Sequence, residues 1–367
     1  MSDITTIPSP VVSNQSFVAT YTNPSFTPVP NTTYYWVNND TNAIFYSYNS
    51  LSKLQLGSFP LYSYTFNFFL DPTGLLFVPV FFAQISNVPI SVYTSNINST
   101  NNFILFSDLS ASTSNPLLAC NDITQDDSGN SYLVGGSYPQ PVISISPPTL
   151  APYPLIKLDT TGKSTIIAQL NYACMGIVFN PFDSCLYITT LNSGQVWVYK
   201  DESLTSFVSL PTTDQCYGIL ADTDGTLYVA QNNSSTTGSG LIWKITPSME
   251  VSVLCKFANT ELRYMTFDGN HEYIYLTADP CYVFKIEKST GVCGDPPYIT
   301  TSLNNPRGIS YWNGNLYIMN TGLNMNMISV NTTSIQCQGT LEDTTTFTIK
   351  NPVSNDVIDD NVVINVV

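Results

Sequence analysis

The chain has 367 residues, of which 43% are hydrophobic and only 10% charged, and its 26 acidic residues against 11 basic ones give a formal net charge of −15. Eleven cations cannot supply the basic stripe that a phosphate backbone or an anionic bilayer surface demands, so nucleic acid and membrane are not expected as partners. Abundant β-branched, aromatic and turn-forming residues favour strands and exclude a helical bundle or a disordered chain.

Residues 1–33 hold five prolines and many Ser and Thr, which reads as an extended N-terminal arm. The start Met1-Ser2-Asp3-Ile4 has no basic region and no apolar core of a secretory leader. The longest apolar stretch, 66–82, is broken by Asn67, Asp71, Pro72 and Pro79 and is no membrane-spanning helix. The expected location is the cytoplasm or a virus particle.

From there the chain repeats itself. An apolar-aromatic-apolar strand follows a turn rich in Asp, Asn and Gly, with its aromatic position at Phe77, Tyr132, Tyr187, Tyr228, Tyr275 and Tyr317, spaced 55, 55, 41, 47 and 42 residues apart. A weaker copy surrounds Tyr35. Before the stronger copies stands a short apolar strand, as in Gly176-Ile177-Val178-Phe179, Gly218-Ile219-Leu220-Ala221 and Gly308-Ile309-Ser310-Tyr311. After them come a third strand, such as Val196-Trp197-Val198-Tyr199, and often a fourth, such as Val251-Ser252-Val253-Leu254. Repeats of this length with four antiparallel strands each predict propeller blades. The expected fold is all-β: a single β-propeller over residues 34–350, with seven blades favoured and six the alternative. Residues 351–367 form a C-terminal strand or arm. Its run Asn361-Val362-Val363-Ile364 is apolar on both faces and is expected to be covered by a neighbouring molecule in preference to the chain's own blades.

The units around Gly218 and Gly308 resemble NHL-repeat and SMP-30/gluconolactonase-like propellers. Asn305-Pro306-Arg307-Gly308-Ile309 and Gly218-Ile219 through Tyr228-Val229-Ala230 carry the likeness, which extends over residues 60–335. The resemblance implies a propeller fold. For the lactonases it also implies a divalent metal at the axis held by Glu, Asn and Asp, but the first Glu here is Glu202 and that ligand set is not recoverable residue by residue.

Candidate chemistry is sparse. The eight cysteines form no CxxC pair, so zinc spacing is absent, and buried reduced thiols are the expectation. The single histidine, His271, is expected as an exposed turn residue. Asp222-Thr223-Asp224-Gly225 opens like a calcium loop, but the Glu such a loop needs is Gln231, so a hairpin turn is expected. Nucleophilic catalysis has no visible candidate.

The only two arginines, Arg263 and Arg307, occupy one repeat position in consecutive copies and should reach the same end of the central channel. Two readings follow: with Asp122, Glu261 and Asn305 they form a ligand site at the channel mouth, or they pair with Glu261 and nearby Asp residues to cap it. The second is preferred. The functional expectation is a non-enzymatic propeller, without cofactor or metal, acting as a structural or protein-binding component that associates with itself or with other structural proteins. A metal-dependent lactonase or hydrolase and a glycan-binding propeller are the alternatives.

Overall fold

The computed structural model describes residues 3–24, 26–30, 32–54, 63–82, 90–99, 103–109, 120–136, 153–233, 239–294, 297–300, 302–321, 326–351 and 356–367. Its regular structure is almost wholly antiparallel sheet; the single helical turn among the described residues is Ile97–Ser99. The chain divides into two units, 54–312 with 318–327, and 1–53 with 313–317 and 328–367.

The larger unit is the propeller. The six strong copies of the repeat all fall in second strands: Leu75–Phe82, Ser131–Gly135, Cys185–Thr190, Leu227–Asn232, Tyr273–Asp279 and Asn315–Asn320, the last with its first three residues assigned to the smaller unit. Each is preceded by an inner strand: Phe69–Leu70, Cys120–Gln125, Cys174–Asn180, Gln215–Ala221, Glu261–Phe267 and Pro306–Trp312. These inner strands adjoin one another in that order, and the sixth adjoins the first, so the series closes on itself. Among the described residues of this unit the inner strands number six. The Tyr35 copy, expected as a further blade, lies instead in Thr33–Asn38 of the other unit.

Continuous burial along the second strands builds the core. Leu133, Ile188, Val229, Leu276 and Ile318 are fully buried, because sheets cover both faces of each second strand. The turn before each of the first five of these strands is built by an Asp, and Asn313-Gly314 makes the sixth. In Asp126-Asp127-Ser128-Gly129, for example, the Asp126 carboxylate accepts the Ser128 and Asn130 amides, and Gly129 takes φ +81°.

The inner strands share a second device. Pairing with the second strand shifts register at Cys120/Asp122, Cys174/Gly176, Cys216/Ile219 and Leu262/Met265. Such bulges re-aim side chains. Glycine follows the shift where the next inner strand presses in: a Cβ on Gly218 would stand 2.8 Å from the Arg263 carbonyl oxygen and 2.9 Å from the Tyr264 Cα. Three equivalent cysteines, Cys120, Cys174 and Cys216, open these bulges as buried free thiols. Cys255 and Cys293, by contrast, form a disulfide, with Cα atoms 6.2 Å apart. The expectation of reduced thiols therefore fails for this pair, because the segment after Tyr282–Glu287 runs close to the strand Val251–Phe257.

The smaller unit corrects the reading of both termini. Residues 1–33 are not a plain extended arm: Asp3–Ile7 and Ser16–Thr22 are strands, and the second pairs with Ser334–Thr340 from the far end of the chain. A second sheet orders Val357–Ile364, Thr345–Lys350, Thr33–Asn38 and Ile44–Asn49. Phe17, Tyr21, Trp36, Phe347, Val362 and Ile364 form one core within this unit. The C-terminal run is thus covered by its own chain, contrary to the expectation of a neighbour. Val362 and Ile364 point inward while Val363 is 43% exposed, so only one face is buried.

Candidate functional site

Two inner strands and one second strand bring Glu261, Arg263, Asp279 and Arg307 into one charged cluster. Arg263 donates from Nε to Asp279 Oδ2 at 3.1 Å, from Nη2 to the same oxygen, and from Nη2 to Glu261 Oε2 at 2.6 Å. Arg307 Nη1 donates to the other oxygen, Asp279 Oδ1. One carboxylate therefore bridges both guanidinium groups, and Arg263 also lies over the Tyr217 ring at 4.7 Å. Arg263 is nearly buried, at 10% side-chain exposure, whereas Glu261 is 54% exposed. Burial works against charge on Asp279, but the hydrogen bonds and charges of the two arginines outweigh it and hold the carboxyl below its ordinary range.

Beside this network lies a second one, centred on the buried Asp122. The Asp122 carboxylate accepts from Asn67 Nδ2 at 2.6 Å and from the Ile123 and Ile177 amides at 2.8 Å each. Burial nevertheless dominates and pushes its carboxyl up to about 7. Next to it, Asn121 donates to the Cys174 carbonyl, and the Asn121 carbonyl accepts from the Tyr264 hydroxyl at 2.6 Å. Tyr264 belongs to the fifth inner strand and Asn121 to the second, so this bond joins inner strands that are not neighbours in the series.

Of the residues picked from the sequence, Arg263, Arg307 and Glu261 come together, and Asp122 belongs to the adjoining network. Asn305 does not join them: it is an exposed turn residue whose amide donates to the Pro280 carbonyl and whose carbonyl accepts from Thr321. Asp279 and Tyr264 went unrecognised, although Asp279 closes the second strand of the copy that contains Arg263 and Tyr264 adjoins that arginine. The metal set implied by the lactonase resemblance does not fit here. Glu261 is engaged by Arg263, Asp122 by two amides and Asn67, and no group of three His, Cys, Asp or Glu among the described residues is arranged for a metal.

His271 sits in its predicted turn, with φ +57°, but it is more than an exposed residue. Its Nδ1 lies 3.0 Å from Asp222 Oδ1, its ring stacks on Phe267, and Lys288 Nζ donates to Asp222 Oδ2 at 2.6 Å. These partners take up the Asp222 carboxylate in a hairpin turn, in keeping with that expectation.

Asp122 has a testable signature. Its folded carboxyl titrates above the unfolded value, so between about pH 4 and 7 the unfolded chain gives up a proton that the fold retains. Its contribution to stability therefore falls as pH rises through that window, by up to about 4 kcal/mol for a three-unit shift. Asp122→Asn leaves a donor facing an amide, a loss that does not vary with pH. The stability gap between wild type and this variant should narrow from pH 4 to 7 in urea titrations; a gap constant with pH contradicts the assignment.

No family model matches the sequence, and no curated protein does. Solved structures do resemble it. Virginiamycin B lyase from Staphylococcus aureus is 14% identical, with a TM-score of 0.51 over 76% of this chain and 98% of that one. An auxiliary nutrient binding protein from Bacteroides thetaiotaomicron is 10% identical, with a TM-score of 0.55 over 89% and 96%. Regucalcin, a calcium-binding protein from Agrobacterium tumefaciens, is 12% identical, with a TM-score of 0.52 over 77% and 95%. At these identities the likeness is one of fold: the chain carries a β-propeller.

Proposed function

We propose that this propeller is a non-catalytic structural or protein-binding component of a larger assembly. The observation that carries the reading is the closed pairing of Arg263, Arg307, Asp279 and Glu261, in which the chain's only arginines are spent on its own carboxylates. Anchoring groups held in this way rigidify the ring instead of presenting charge to a small substrate. Low charge and a Ser-, Thr-, Asn- and Tyr-rich composition suit packing against other proteins, and a virus particle is the specific setting this composition suggests. Light scattering on the purified protein, alone and with material from its source, should give masses above one chain. A monomer that hydrolyses lactones once supplied with a divalent metal would overturn the proposal in favour of the lactonase-like alternative.

A further inference from the structure

Apart from the arginine network, a cleft of about 260 Å³ opens between the second and third sheets of the propeller. Its walls are aromatic and apolar: Tyr132, Phe179, Leu186 and Tyr199. Three turns bring polar groups to it, with Asp126 and Asp127 from one, Ser184 from another, and Lys200 and Asp201 from a third. Carboxylates thus outnumber ammonium groups around these rings, with Asp126, Asp127 and Asp201 against Lys200 and against Lys157, whose Nζ lies 5.7 Å from the centre of the Tyr132 ring.

The parts are held in place by local chemistry. Asp126 accepts the Ser128 and Asn130 amides, the Asn130 side chain and the Tyr132 hydroxyl, at 2.8–2.9 Å. Burial opposes its charge, but these hydrogen bonds outweigh burial and keep the carboxyl below its usual range. The same Tyr132 bond fixes one ring of the wall. Ser184 and Asp201 hold their turns with φ of 56° and 49°.

An anion would meet net negative charge here, and a purely apolar ligand would strip water from the exposed Asp127 and Asp201 carboxylates. A flat organic cation satisfies both halves, with its charge paired to carboxylate and its face or stem on the rings. The volume lies just under the roughly 300–1,000 Å³ of small-molecule clefts, which suits a group the size of one basic side chain. The net charge of −15 draws cations towards the chain as a whole.

We infer that this cleft binds an alkylguanidinium or alkylammonium group, presented by a basic side chain of a partner protein or by a free organic cation. The inference builds on the protein-binding reading and assigns it a contact point. Agmatine is the probe. Calorimetry at low salt should show saturable binding with a dissociation constant of about 1 mM, weakening as salt is raised. Asp127→Asn with Asp201→Asn removes two charges while keeping residues that tolerate these turns, and it should weaken binding at least tenfold. Lys200→Met should strengthen it severalfold, an effect that mere loss of structure would not produce. Agmatine binding unchanged in these variants, or displaced equally by neutral sugar, overturns the assignment. A short Arg-rich peptide distinguishes the sources: tighter than agmatine for a protein partner, no tighter for a free cation. Because agmatine binding is read on the isolated chain, its absence refutes the cleft while leaving assembly, measured by mass, to stand or fall separately.

Discussion

Replacing Asp279 by Ala should destabilise the propeller by about 3 kcal/mol, the lower end of the range for breaking a buried ion pair. The lower end applies because the Asp279 side chain is 21% exposed and its partners Arg263 and Arg307 are 10% and 16% exposed. The loss exceeds that of a single pair in kind, since one carboxylate neutralises two guanidinium groups and its removal leaves them facing each other. At roughly 2–4 °C per kcal/mol for a unit of this size, the melting temperature should fall by roughly 6–12 °C. Glu261→Gln is the contrast: its exposed carboxylate contributes under about 1 kcal/mol. The pH dependence has a definite sign. Asp279 is held below its unfolded value, so the stability it lends is present above about pH 4 and is lost as pH falls through its folded value. An Asp279→Ala protein that melts within about 2 °C of wild type would mean that the network is ornamental, and the case for a self-satisfied pair of arginines would fall with it.

The repeats were legible because a second strand buried on both faces must show apolar residues around a ring that anchors its blade, and Tyr187, Tyr228 and Tyr275 do so. The same pattern misled at Tyr35. There the buried residues are Tyr34 and Trp36, with Val37 after a register shift, in a sheet of the other unit. A period of two records that one face of a strand is covered, but not by which sheet. The arginine network was half legible: two arginines at one repeat position implied a shared target, but the shared carboxylate, Asp279, lies 16 residues beyond the first of them and 28 before the second. The terminal strands were the hardest to read. Asp3–Ile7 and Ser16–Thr22 are short, rich in Thr and flanked by prolines, and the strand that pairs with Ser16–Thr22 comes more than 300 residues later. Nothing local in such a segment records a partner that distant.

That long-range pairing sets the second large effect. Deleting residues 356–367 removes the strand Val357–Ile364, which pairs with Thr345–Lys350, and takes Val362 and Ile364, at 3% and 1% exposure, out of the core around Trp36 and Phe347. Burial of two such side chains contributes about 3–6 kcal/mol, before the lost ladder of hydrogen bonds is counted. The deletion also frees Val11, whose backbone bonds to Val367, and it removes Asp359, an acceptor for the Tyr21 hydroxyl. A unit closed by strands from both ends of the chain has little to replace these. The truncated protein should therefore expose the cluster of Phe17, Trp36 and Phe347, bind a hydrophobic dye and lose the near-ultraviolet signal of Trp36. The propeller unit, whose inner strands close without these residues, should keep its own melting transition. Ile364→Asp reproduces the insult with the strand still present and should show the same selective loss. Should the truncated chain instead keep its dye response and tryptophan signal while dropping to a smaller assembly mass, the strand would be serving a neighbouring molecule, and the self-contained core described here would be wrong.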